Sequence, residues 1–436
     1  MFAKNQIFLA FALASLACAA SGLTVVGCFG GSGGSSDGDG DSDSDGDSDS
    51  DGDSDSDTDA DSDGDVDGVD ILIMVDDSMS MAQEQGILAT DLYGFISSLV
   101  HPFAGSEILP FDDLRVAVVT SNMGFSSDGV SNDDYWPGTV PPGCEGFGDN
   151  GAFQTSMPST VELADNVIAC DESAAQCPAG WMCEGIDADT GIGHCQTDGP
   201  TTLDCGALGN MWTEGESLAD DVACLAIQGT SGCGFEQQLA SAVTGLARTD
   251  QSDFIREGAG LIALVVSDEE DCSMQDGEGM FGEDEVQNQD EKKVNLACGN
   301  HPEYLFDPAY IYQQFVDAKS PGTVFFAAIV GVPNGGSAAD ACQGPGDEIG
   351  DCLDQDEMQL EEEQPGAGDD PPNLNWFFRP ACTREVDATE VTRAYPGRRY
   401  VELASDSFGS QSYVYSICNP DWTPAFDAIR EFAAAW

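Results

Sequence analysis

The chain has 436 residues, 41% of them hydrophobic, and a net charge of −67 from 80 acidic and 13 basic residues. That length suits one large domain or two modest ones. So negative a surface repels nucleic acid and anionic headgroups and gathers cations, which excludes nucleic-acid binding and also suits a salty medium. Every odd position from Asp37 to Asp67 is Asp, sixteen in all; without these and Lys4, 64 acidic and 12 basic residues remain, a charge near −52.

Residues 1–27 read as an export signal. Lys4 supplies a short positive region and Ile7 to Ala20 an apolar one, which falls short of the ~20 residues of a membrane span. Leu23-Thr24-Val25-Val26-Gly27-Cys28 resembles a bacterial lipobox, so Cys28 is the expected lipidated residue. Cleavage near Ala20, leaving Cys28 as a spare thiol, is the alternative. Residues 28–68 are a linker, Gly/Ser-rich and then Asp-rich. With almost nothing apolar to bury and like charges in series, it is expected to be extended and disordered. Asp41 to Gly46 imitates half of a calcium loop without the closing Glu or flanking helices, so it predicts loose cation condensation only.

Cysteine usage agrees with export. Of 16 Cys, Cys18 falls in the signal and Cys28 carries the lipid. The other fourteen run from Cys144 to Cys418 and predict up to seven disulfides, with the pairing open. Zinc is the weaker use, because there are three His and no His-Glu-x-x-His or paired Cys-x-x-Cys.

From residue 69 onward, strand-like and helix-like segments alternate. Ile71 to Val75 predicts the first strand. Leu88, Leu92, Phe95, Ile96 and Leu99 then recur at helical spacing. Leu114 to Thr120 is a second strand, Phe235 to Arg248 a helix, and Leu261 to Val266 a continuous apolar strand stopped by Ser267-Asp268. Asp307-Pro308 opens another helix as a cap followed by Pro. Val324 to Val330 and Tyr400 to Leu403 predict further strands, and Phe426, Ile429 and Phe432 mark a C-terminal helix. The fold class expected is α/β, a mostly parallel open sheet with helices on both faces. Two insertions interrupt it and should lie at the surface: a Cys-rich one at 125–228 and an acidic one at 334–396.

The chemistry gathers at Asp76-Asp77-Ser78-Met79-Ser80, where the first strand ends, and at Ser267-Asp268, where a later one does. Ligands of open α/β sheets bind at the carboxyl ends of strands, and oxygen donors suit Mg²⁺, Mn²⁺ or Ca²⁺. With the segments Gly232 to Ala240, Leu264 to Ser273 and Ser416 to Trp422, these residues make 69–436 resemble a von Willebrand factor type A domain. The likeness is especially to a Cys-rich exported variety found in myxobacteria. The resemblance implies a metal-ion-dependent adhesion site. Ser78 and Ser80 would ligate Mg²⁺ (or Ca²⁺) through their hydroxyls, and Asp76 and Asp268 would hold it, often through water. A Thr completes the pattern; here Cys233 stands near its place, so Thr230, or Ser231 beside it, is the expected ligand.

Each residue also has a plainer reading. Asp76, Ser78 and Ser80 could cap the next helix. Glu269, Glu270 and Asp271 near the site would shift preference towards Ca²⁺ and could fill its open position, but read more plainly as a solvated loop; Glu236 reads as a local partner on its own helix, and Trp422 as core. The function expected is an envelope-anchored adhesion or scaffold module, binding a protein or polymer that offers a carboxylate. A structural surface protein whose metal only stabilises the fold is the alternative. A metal-dependent hydrolase ranks behind both, since no motif pairs a nucleophile with a base; no catalytic residue is expected.

Overall fold

The computed structural model describes residues 68–436 except 105, 107–109, 112, 209, 216, 290–292, 320–322, 364–375 and 386–390. The export signal, Cys28 and nearly all of the linker lie outside the described residues. The main sheet has six strands: β1 (Gly68–Val75), β2 (Leu114–Thr120), β3 (Ala259–Val266), β4 (Val324–Val330), β5 (Gly344–Pro345) and β6 (Ser412–Ser416). Their order is β5-β6-β4-β3-β1-β2, parallel throughout except for β5, which runs antiparallel along β6. The fold is thus mixed α/β with a mostly parallel sheet, as the alternation predicts.

Both faces of this sheet are covered, which is why its strands read as unbroken apolar runs. Alternate residues of β1 point to opposite sides. Ile71, Ile73 and Val75 pack with α1 (Glu84–Val100), α2 (Leu218–Leu225) and α5 (Thr423–Ala433). Leu72 and Met74 pack with α3 (Gln238–Ala247) and α4 (Pro308–Ala318). Asp307 caps α4 by accepting the Ala309 N–H at 2.8 Å, with Pro308 at the first helical position. Asp307→Ala is expected to cost about 1 kcal/mol in a urea titration, the usual worth of such a cap.

Residues 400–403 correct the sequence reading. They lie in a helix, Arg398–Glu402, that continues as a wider π turn over Leu403–Phe408. Tyr400, Val401, Leu403 and Ala404 bury one helical face on the sheet. The strand is instead Ser412–Ser416, where serines at both ends and two tyrosines flanking Val414 hide the signal. Trp422 is fully buried, as expected of core.

Seven disulfides join Cys144–Cys233, Cys170–Cys183, Cys177–Cys195, Cys205–Cys224, Cys272–Cys298, Cys342–Cys352 and Cys382–Cys418. So many bridges mark an oxidising environment. Among the described residues no helix is long and apolar enough to cross a membrane. The Cys-rich insertion is less peripheral than its composition suggests: Val161, Leu163 and Ile168 are buried in the same core as α1. The acidic insertion contributes edge strand β5 and a hairpin, Cys382–Glu385 with Val391–Ala394, tied by Cys382 to Cys418 beyond β6.

Candidate metal centre

Chain order runs from β1 outward to β2, then crosses back over β1 to β3 and continues to β4 and β6. The direction therefore reverses between β1 and β3, the place where loops part and a crevice opens. Val75 and Val266 are partners in register, so Asp76 and Ser267 follow side by side at the tip. The Asp76 N–H still donates to Val266 O at 3.1 Å, which carries the sheet one residue further.

Asp76 is fully buried and its carboxylate is held from four sides. Oδ1 accepts the Ser78 N–H (2.8 Å) and the Ser121 hydroxyl (3.3 Å). Oδ2 accepts the Ser267 hydroxyl (2.6 Å) and Gln238 Nε2 (3.4 Å). Ser78 Oγ and Ser80 Oγ hydrogen-bond at 3.0 Å, and Ser80 Oγ donates to Asp268 Oδ1 at 3.1 Å. Asp76, Ser78, Ser80 and Asp268 thus meet in one network across 188 residues of sequence between Ser80 and Asp268. Ser78 stands before the next helical turn, but its side chain makes no cap hydrogen bond.

Thr230 lies on a loop next to this network. Its loop is held beside the β1 tip by Gln85, which accepts the Gln228 and Gly229 N–H groups, and by the Gly232 N–H donating to Asp77 O. Thr230 is half-buried there and does not line the cleft; Ser231 is exposed and does not line it either. Cys233 is bonded to Cys144 and has no thiolate to offer. The residue this loop brings to the cleft is Glu236, which is buried just before α3 begins. The reading of Glu236 as a local helix partner is therefore corrected. Its signal in sequence was weak, a Glu between Phe235 and two Gln that are themselves buried.

The acidic loop after β3 is also corrected, because most of it is anchored rather than solvated. Asp271 is fully buried, accepts the Leu239 N–H at the start of α3 and pairs with Arg399 at 2.9 Å. Glu270 accepts the N–H groups of Arg398 and Arg399 at the head of their helix. Glu269 faces the cleft with Glu236.

The cleft has a volume of about 670 Å³. Ser78, Ser80, Asp268, Glu236 and Glu269 form its acidic side. Phe377, Arg393 and Tyr395 wall it, the two rings stacked at 5.4 Å. Met79 stands 83% exposed at the rim. Among the described residues, no ion pair joins Asp76, Asp268, Glu236 or Glu269 to a basic side chain. Burial, and then repulsion from Glu269 and Asp76, push the Glu236 and Asp268 carboxyls well up. Glu269 is pushed up to about 7 by burial and by Asp76.

Buried carboxylates beside the hydroxyls of Ser78 and Ser80, without an ion-pair partner among the described residues, fit a hard dication, which supplies positive charge. The sign of the pH dependence follows. Raised carboxyls hold protons in the folded chain where the unfolded chain has released them. Without metal they favour folding at low pH, and that benefit is lost as pH climbs from the ordinary carboxylate range through about 7. Metal displaces those protons, so the melting gain from Mg²⁺ or Ca²⁺ over EDTA is expected to grow between about pH 5 and about pH 8. Calorimetric melts at both ends of that range check it.

In comparisons with known proteins, no family model matches the chain and no curated protein does.

Proposed function

We propose that this chain is a von Willebrand factor A-like adhesion or scaffold module, anchored to the cell envelope by a lipid on Cys28. It binds a carboxylate-bearing protein or polymer through Mg²⁺ or Ca²⁺ held by Asp76, Ser78, Ser80 and Asp268. One observation carries the reading: the tips of β1 and β3 join these oxygen donors in one network, Ser78, Ser80 and Asp268 line the cleft, and among the described residues no basic side chain forms an ion pair with Asp76 or Asp268. The hydroxyls add donors without charge, so the ion stays positive enough to take a carboxylate from outside. Thr230, on the loop beside the β1 tip, does not line the cleft. Glu236 and Glu269 are the further carboxylates near the ion, and their number favours Ca²⁺.

Peptides bearing a single Asp or Glu, arrayed beside their Asn or Gln versions, test the proposal. Binding by the full chain in Mg²⁺ or Ca²⁺, absent in EDTA and absent from the amide peptides, is expected. Equal binding of acid and amide peptides would rule the adhesion reading out. The crowding by Glu236 and Glu269 favours one rival, a metal that only stabilises the fold. That case would give a metal-dependent melt with no cation-dependent peptide binding.

A further inference from the structure

Away from this cleft, three metal-capable side chains converge in the segment that follows β3. His301 Nε2 lies 3.1 Å from Glu285 Oε2 and 3.8 Å from Glu283 Oε2. These ligand atoms all lie within 4.8 Å of one another, and the three residues are half-buried. We propose that Glu283, Glu285 and His301 form a second metal site, distinct from the cleft, that takes a zinc-class divalent transition ion.

Three observations support it. Zinc bonds to imidazole nitrogen and carboxylate oxygen are both near 2 Å, so neighbouring donors in a tetrahedral shell stand about 3.3 Å apart. The separations of 3.1 and 3.8 Å bracket that value. The outer groups are also those a metal site uses to orient its ligands. Glu303 faces His301 Nδ1 at 3.5 Å, and the Tyr304 hydroxyl donates to Glu283 Oε1 at 2.7 Å, leaving Nε2 and the two Oε2 atoms turned inward. Charge is the third. Three carboxylates surround one imidazole, and among the described residues no lysine or arginine pairs with them. A proton on His301 cancels one negative charge, whereas a dication cancels two and bonds to all three donors. A mixed nitrogen and oxygen set suits zinc better than Mg²⁺. The sequence hides this site because Glu283-x-Glu285 and His301 match no recurrent zinc spacing; the turn His301–Tyr304 brings them together.

Zinc uptake by the full chain, measured in excess Mg²⁺ and Ca²⁺, tests the site. The wild type is expected to retain one more Zn²⁺ than His301→Ala, and to melt higher with Zn²⁺. Glu303→Gln should keep that ion with an affinity lower by roughly 10- to 100-fold. Asp76→Ala should retain it fully, which separates this site from the proposed adhesion site. Glu285→Gln, the same shape without the charge, repeats the measurement should His301→Ala unfold. Background binding by the Asp tract is common to all variants and cancels in the difference. Equal zinc uptake by wild type, His301→Ala and Glu285→Gln overturns the proposal. So does a wild-type melt that responds to pH but not to Zn²⁺, which would mean that a proton alone holds His301.

Discussion

Asp76→Ala is expected to abolish the rise in melting temperature that Mg²⁺ or Ca²⁺ gives the wild type over EDTA. Asp76 sits at the centre of the tip network, receiving Ser78, Ser121, Ser267 and Gln238 at once. Removing it disorders both hydroxyl ligands and deletes a carboxylate. At a hundredfold excess over Kd a dication stabilises the folded state by about 2.7 kcal/mol. For a chain of this size that is a shift of roughly 3 °C. A variant that keeps the wild-type shift would show that the ion, if bound, is not held at the β1 tip. Asp268→Asn provides a second variant, expected to lose most of the shift while leaving the Asp76 contacts in place. Its side chain can still accept from Ser80, so a loss there reports charge rather than collapse of the network.

The second large effect concerns the Cys144–Cys233 bridge, which closes a separation of 89 residues. Replacing both with Ala is expected to cost between about 3 and about 4.7 kcal/mol in guanidinium unfolding, the range for closed loops of about 15 to 100 residues. The three bridges nested inside that span shorten the effective loop, so the lower part of the range is expected. This bridge also fastens the loop that carries Glu236 into the cleft, immediately ahead of α3. The double variant should therefore weaken the metal-dependent shift as well as the fold. The Cys205–Cys224 bridge is the control, since it closes a separation of 19 and touches no cleft residue. Its loss should lower stability by about 3 kcal/mol and leave the metal response unchanged.

Much of this molecule was legible from local pattern. Buried strands announce themselves as apolar runs, so Leu114–Thr120 and Val324–Val330 appear with the ends expected of them. Asp307-Pro308 named its own helix start because capping is a contact between neighbours in sequence. Asp76, Ser78 and Ser80 stand within five residues, and a strand followed by a polar tip was enough to single them out. Fourteen cysteines after the linker announced bridges, and seven formed.

What the sequence left open depends on contacts between distant residues. No spacing rule pairs Cys144 with Cys233 or brings His301 to Glu285, because chain folding alone sets those distances. Glu236 and Asp271 looked like ordinary surface acids; only the return of α3 and of the Arg398–Glu402 helix against the β3 tip makes one a cleft residue and the other the buried partner of Arg399. Thr230 was chosen by its neighbourhood in sequence; Gln85 and Asp77 hold its loop beside the β1 tip, and it does not line the cleft. Tyr400 to Leu403 read as strand because a four-residue segment with three apolar residues around Glu402 is too short to show a period of its own. Its place against the sheet made it helix, while the weaker run at 412–416 took the open edge of β4. Sequence alone thus determined which chemistry stands at the β1 tip. Tertiary structure decided which second-strand residues face it, because residues that neutralise or crowd an ion come from loops whose paths are set by long-range packing and by bridges.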